Sequence, residues 1–226
     1  MGGIIMKKIM FNDKYGLTQA VLEGRKTMTR RIIACPEAYK GMPVRGFRIT
    51  GSKDIRLSVE MRVYDESCDD FVPMYIQPKY ELGEVVAIAQ SYKDSGYSPD
   101  SLDRHPKDLS IRGFMKDSAG WNNKMFVKSY ACKHHIKITN IKVERLQDIS
   151  DEDCLKEGIV KQEVISDESP LIYAYDAFLN GESGYFASQW FKNPKEAFAV
   201  LIDKVSGKGV WESNPFVFVY EFVLFD

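Results

Sequence analysis

Histidine and cysteine are scarce in this chain, net charge is almost absent, and no apolar run is long. Its 226 residues include 3 His and 4 Cys. The cysteines (Cys35, Cys68, Cys132 and Cys154) form no Cys-x-x-Cys pair. Scattered cysteines without a targeting segment point to free thiols in a reducing cytoplasm. Cys132, His134 and His135 are close in sequence. Adjacent strand residues point to opposite faces, however, so a shared ion is disfavoured, and neither metal nor cofactor is expected. Lys and Arg number 31 against 32 Asp and Glu, a net charge of −1. That excludes a uniformly basic nucleic-acid coat and leaves only a local basic patch. No stretch approaches the length of a bilayer span. The opening Met1-Gly2-Gly3-Ile4-Ile5-Met6 is too short for a secretory h-region, and Met6 breaks the myristoylation pattern. A cytoplasmic protein with no membrane partner is expected. Hydrophobic residues make up 44%, enough for a real core in one large domain or two small ones.

No internal repeat is present. Residues 7–11 read as a short strand, and Asn12 or Asp13 as the cap of a helix over about 14–23 that stops at Gly24. Residues 27–33 read as a strand. Alternation over 45–64 (Phe47, Ile49, then Ile55, Leu57, Val59, Met61) predicts a β-hairpin turning at 51–54. Residues 84–92 suit a buried strand, 93–120 a long polar loop, and 125–145 a return to strand. Ser150-Asp151-Glu152-Asp153 is a capping-box-like start for a short helix ending at Gly158. Asn193-Pro194 starts another, with Phe198, Leu201, Ile202 and Val205 at helical spacing. The chain closes in a β-forming run from Pro215 to Leu224. Strands and helices do not alternate regularly, so an α+β fold is expected, with a closed or nearly closed barrel protecting the apolar strands.

The densest chemistry lies at residues 24–31, Gly-Arg-Lys-Thr-Met-Thr-Arg-Arg. A helix ending at Gly24 and a strand beginning at once would gather an ammonium, two hydroxyls and several guanidinium groups. Those groups suit an anionic or carbonyl-rich ligand. On a regular strand Lys26 and Thr29 have opposite parity, so both face one pocket only if the corner is irregular. A second cationic stretch, 121–145, holds Lys124, Lys128, Lys133, Lys137, Lys142 and Arg145 against Glu144 alone, interleaved with Trp121, Phe126 and Tyr130. That pattern fits a strand-borne nucleic-acid surface, and equally an edge strand guarded by Lys.

Residues 24–31 also resemble the signature of the ASCH domains, a branch of the PUA-like β-barrels linked to RNA. Gly24, Lys26 and Arg31 match its spacing, and Thr29 stands where the signature usually has Glu. One subgroup, the bacterial acetylcytidine amidohydrolases, also has Thr there. The resemblance extends along the chain to bacterial and prophage-encoded ASCH-like proteins. It runs through the strand start Tyr80-Glu81-Leu82-Gly83-Glu84, the strand and capped helix from Val143 to Gly158, and Trp211-Glu212-Ser213-Asn214-Pro215 onward. It implies a single PUA-like domain over 1–226, a mostly antiparallel β-barrel with flanking helices and insertions at about 34–78, 93–120 and 160–190. Where the relatives commonly carry Arg-Glu-Thr-Trp, this chain has Ala89, Gln90, Ser91 and Tyr92. Charge-based contacts at that spot are therefore weakened, though Gln90 and Ser91 can still hydrogen-bond a base edge.

The amidohydrolases' proposed catalytic Lys, Thr and Glu map by position onto Lys26, Thr29 and Glu157. Such chemistry would use Thr29 as nucleophile, Lys26 as its base and Glu157 to polarise water or pass a proton. Three functions stand as expectations. The first is binding of nucleic acid, RNA in particular, or of a nucleotide. Its cleft would lie around Lys26, Thr29, Arg31 and Glu157, with Arg25, Thr27, Arg30, Gln90, Ser91, Tyr92, Lys124 and Lys128 as further contacts. The second is amide hydrolysis on an acylated nucleoside such as acetylcytidine. The third is a non-enzymatic phage or host interaction protein.

Overall fold

The computed structural model of the protein describes residues 6–52, 55–96, 122–164, 172–177 and 190–226. The fold is α+β, dominated by strands, with few helices and a curled half-barrel sheet. In chain order come β1 (Lys8–Ile9), α1 (Leu17–Leu22), β2 (Met28–Ile32), β3 (Ala38–Tyr39), β4 (Met42–Ser52), β5 (Ile55–Asp65), β6 (Asp70–Ile76) and β7 (Val85–Ile88). They are followed by α2 (Tyr92–Ser95), β8 (His135–Arg145), α3 (Asp151–Lys156), β9 (Val160–Val164), β10 (Ile172–Asp176), β11 (Trp190–Phe191), α4 (Pro194–Ser206), α5 (Val210–Ser213) and β12 (Phe216–Leu224).

The half-barrel has the order β1-β7-β8-β12-β2 and is antiparallel except for the β1–β7 pair. Its centre is β12, whose run Phe216–Tyr220 is wholly buried. Strand β8 shows how sequence sets curvature. Ile136 and Ile138 are core residues at even positions, whereas Ile141 and Val143 pack inward at odd ones. The ladder to β12 slips between Glu221 and Phe222, leaving Thr139 as the extra residue. That bulge reverses the parity and bends the strand.

The predicted hairpin is present as β4 and β5, although part of its turn lies outside the described residues. It gains a third partner, β6, and the short β3. The region read as an insertion at 34–78 is thus a four-stranded antiparallel sheet, β3-β4-β5-β6. Its inner face reaches the main core through Val59, Phe47 and Ile76. Strands β9, β10 and β11 make a third small sheet. The rest of the 160–190 segment, Trp121 and most of the 93–120 loop lie outside the described residues.

One expectation is corrected. Residues 125–134 do not continue a strand: β8 starts at His135, after a loop and a 3-10 turn at Ser129–Ala131. The Lys8 ammonium sits among the backbone carbonyls of Lys124, Met125 and Val127, which a strand ladder would otherwise use. Phe126 and Tyr130 stay exposed, while Val127, Ala131 and Cys132 form a small cluster with Ala87 and Tyr92.

Helix α4 starts as its sequence dictates. The Asn193 side chain accepts from Glu196 N at 2.8 Å, Pro194 occupies the first turn, and Ala197, Phe198, Leu201 and Ile202 face the core. An Asn193→Ala variant should lose about 1 kcal/mol of stability, read as a lower urea midpoint at unchanged slope.

Candidate functional site

Helix α1 stops at Gly24, whose φ of +72° is the left-handed conformation glycine adopts without strain. The chain then doubles back, with Lys26 N bonded to Ala20 O at 2.9 Å, and enters β2. A second turn arrives from α3. Its start is capped by Ser150, whose hydroxyl accepts from Asp153 N at 3.1 Å, and its end passes through Gly158 at φ +105°. A Cβ on Gly158 would make ordinary contact with that of Lys26 at 3.6 Å, so it is the left-handed turn, not lack of space, that calls for glycine. Thr27 N donates to Lys156 O at 2.9 Å, fastening the two turns.

This juncture buries charge. The Lys26 ammonium donates to the Glu157 carboxylate at 2.5 Å and to the Glu157 carbonyl at 2.8 Å. Arg30 reaches the other Glu157 oxygen at 3.2 Å, Glu144 at 2.6 Å and Asp153 at 2.9 Å. Lys142 joins the network, 2.8 Å from Asp153 and 3.2 Å from Glu144, and Lys156 stands 3.8 Å from Asp153. Lys26, Arg30 and Glu157 are each 5% exposed or less. Burial pushes the Lys26 ammonium below the usual lysine range. The charge and hydrogen bond of Glu157 oppose that shift without cancelling it, and Arg31 and Arg30 add to it. Burial also opposes the Arg30 charge, but Glu157, Glu144 and Asp153 outweigh it and raise its pKa. Burial raises the Cys154 thiol to about 12, so this helix cysteine is inert at neutral pH.

Strand pairing sorts the side chains. Met28 and Arg30 lie on one face of β2, cross-strand from Glu221 and Val219, with Lys142 and Glu144 one strand further on. Thr29 and Arg31 lie on the other face, opposite Tyr220 and Phe218. Lys26 and Thr29 therefore do have opposite parity. They nevertheless line one cavity, because β2 is the edge strand of the half-barrel and the cavity wraps that edge. Its volume is about 260 Å³. Lys26, Thr29, Arg30, Arg31 and Glu157 supply its polar wall, and Phe11, Leu17, Phe198, Leu201 and Ile202 its apolar one. The Thr29 hydroxyl has no hydrogen-bond partner among the described residues. Arg31 donates to Met10 O at 2.6 Å across the open seam, and its guanidinium lies 5.7 Å from the Phe11 ring. Burial holds its pKa below the ordinary arginine value.

The remaining candidates lie elsewhere. Arg25 pairs with Glu23 at 2.7 Å on the outer turn. Thr27 is half-buried, its backbone engaged on both sides by Lys156 and Phe222. Gln90 accepts from Lys133 N at 2.5 Å, and Ser91 caps α2 by accepting from Asp94 N at 3.1 Å. Tyr92 is packed in the small apolar cluster. Lys124 is held by Asp13 and by Thr18 at 3.1 Å. Gln90, Ser91 and Lys124 line a separate polar cavity of about 570 Å³, together with Asp94 and Gln19. Lys128 is exposed on the loop before the 3-10 turn. His134 binds Asp226 at 2.6 Å, and no cluster with metal-ligand geometry occurs among the described residues. Also among the described residues, no helix is long and apolar enough to cross a membrane.

Sequence reasoning missed the carboxylates Glu144 and Asp153 as partners of Arg30, and the apolar wall from α4. Alternation of Lys142 with Glu144 was the only signal of the first. No protein family, curated protein or solved structure matches this chain.

Proposed function

We propose that the protein is a PUA-like module of the ASCH type that binds a nucleoside- or nucleotide-class ligand in the cavity between β2 and α4. The observation that carries this reading is the convergence of Lys26, Thr29, Arg30, Arg31 and Glu157, from two distant turns, on one cavity. The curled, mostly antiparallel half-barrel supports the fold part of the proposal. A volume of about 260 Å³ lies just below the usual range of about 300–1,000 Å³ for small-molecule sites and suits a single nucleoside-sized unit, not a polynucleotide groove. The dispersed positions of Lys124 and Lys128 likewise favour a single nucleoside unit over a long RNA strand. A nucleoside would meet hydrogen-bond donors and a free hydroxyl at the β2 edge and an apolar wall at α4.

Ser206 is exposed where α4 borders the cavity, so Ser206→Trp fills the cavity while sparing the buried network. Calorimetric titration with cytidine, cytidine 5′-monophosphate and acetylcytidine should give saturable binding to the wild type and at least tenfold weaker binding to the variant. Absence of binding to the wild type, or equal binding to both, overturns the proposal. A protein partner recovered by the wild type in the first case would leave the interaction-protein reading.

A second reading, amide hydrolysis on an acylated nucleoside, is favoured by one specific feature. The unpartnered Thr29 hydroxyl shares its cavity with a lysine whose pKa burial has lowered.

A further inference from the structure

Four consecutive residues of β2, Thr29, Arg30, Arg31 and Ile32, line the cavity of about 260 Å³, although their side chains alternate between the two faces of the sheet. Only the strand's edge belongs to both faces, so the cavity abuts the backbone itself. The register says which backbone groups turn that way. Phe222 N donates to Thr27 O and Ile33 N to Phe216 O, each at 2.9 Å, so the odd-numbered residues of β2 spend their amide groups on β12. The N–H and C=O of Arg30 and Ile32 point the other way, to an edge with no strand beside it. Neither residue's backbone groups there have a hydrogen-bond partner among the described residues. Arg30 is buried, but Ile32 is 41% exposed. Met10 and Val205, also lining the cavity, are 45% and 37% exposed. The open part of the cavity is thus an apolar rim crossed by one accessible strand edge.

We propose that the main chain of Ile32 reads the base: the pairing edge of a nucleobase meets it as a neighbouring strand would, with an acceptor on the Ile32 N–H and a donor on the Ile32 C=O, while Met10 and Val205 flank the ring. The inference rests on the nucleoside reading and deepens it by naming the groups that select the base. In an antiparallel ladder the N–H and C=O of one residue point the same way and are met by an acceptor and a donor on a single partner residue. Unpaired bases present such adjacent groups on their Watson–Crick edges. A wholly apolar ligand would displace water from both amide groups and leave them unmet, which is costly. A protein strand is a poor occupant, because Phe198, Leu201 and Ile202 of α4 form the opposite wall of a cavity this small.

Ile32→Pro deletes the N–H in question and spares the ladder to β12, since proline is tolerated on an edge strand where its missing N–H faces outward. Ile32→Val keeps the N–H and controls for the change of side chain. Circular dichroism and thermal midpoints report whether each variant is folded. In calorimetric titration the proline variant should bind cytidine at least tenfold more weakly than the valine variant, which should stay within twofold of the wild type. Cytidine dimethylated on its exocyclic amine stays neutral but has no donor for the Ile32 carbonyl. It should bind the wild type at least tenfold more weakly than cytidine does. A folded proline variant that matches the valine variant within twofold overturns the inference, and so does equal binding of cytidine and its dimethylated form; the nucleoside reading then stands. If the proline variant does not fold, the comparison of the two ligands on the wild type decides alone. Absence of cytidine binding to the wild type overturns both readings.

Discussion

Replacing Arg30 by Leu should destabilise the protein by about 3–5 kcal/mol, the cost typical of removing one partner from a buried ion network. Arg30 is 1% exposed in its side chain and is shared by Glu144, Asp153 and Glu157. Without it three carboxylates converge with Lys26, Lys142 and, 3.8 Å from Asp153, Lys156 left to balance them. Since total stability of a domain is about 5–15 kcal/mol, the urea midpoint should fall sharply. Arg30→Lys should rescue little, because one ammonium cannot span three acceptors in different directions. The pH dependence has a definite sign. Burial would raise the Asp153 carboxyl, but hydrogen bonds from Lys142 and Arg30 and their charges overcome it, holding it below the usual aspartate range. A lowered carboxyl contributes stability that is present above the unfolded-state pKa and lost as pH falls through the folded one. Removing Arg30 shrinks that contribution, so the gap between variant and wild type should be widest near neutral pH and narrow in acid. A variant within 1 kcal/mol of the wild type at neutral pH would show that the network does not hold this corner together.

The corner was legible in sequence because its causes are local. Gly24, the Ser150 cap, Gly158 and the Asn193-Pro194 start each act over three or four residues, and each sits where expected. The β4–β5 hairpin and β12 were legible for a similar reason, since alternation and β-branched runs need no distant partner. What could not be read was pairing. Arg30 and Arg31 are adjacent and chemically alike in the chain. One became the buried centre of an ion network and the other part of the cavity's polar wall, because β12 fixes which face each occupies. Strand β6 went unseen because Pro73 and the flanking acids interrupt its pattern, yet it is tolerated at the sheet edge. The stretch 125–134 misled in the opposite sense. Its apolar residues looked like strand, but a distant Lys8 ammonium claims the carbonyls.

If the second functional reading holds, Thr29→Ala should abolish hydrolysis of acetylcytidine, by about 10²–10⁴-fold or more. The step would run with Thr29 Oγ attacking the acyl carbon as its proton passes to neutral Lys26. The carbon–nitrogen bond then breaks, the proton goes to the leaving amine, and water releases the acyl group as a carboxylate. Two features of the site bear on this. Lys26 already donates to the Glu157 carboxylate and carbonyl, which leaves one N–H position on the ammonium for other contacts. Thr29 and Lys26 meet only at the edge of β2, so a substrate seated there lies between them and not beside both on one face. Because burial lowers the Lys26 pKa, the base form should appear below the ordinary lysine range, and the rate should rise with pH about a midpoint below the ordinary lysine value of about 10.4. Thr29→Ser should keep part of the activity and the same pH profile, because it keeps the hydroxyl. Steady-state rates across pH on these two variants decide the matter. Undiminished turnover in Thr29→Ala excludes the nucleophile. A flat profile in the wild type excludes Lys26 as its base, and either result leaves the cavity as a binding site alone.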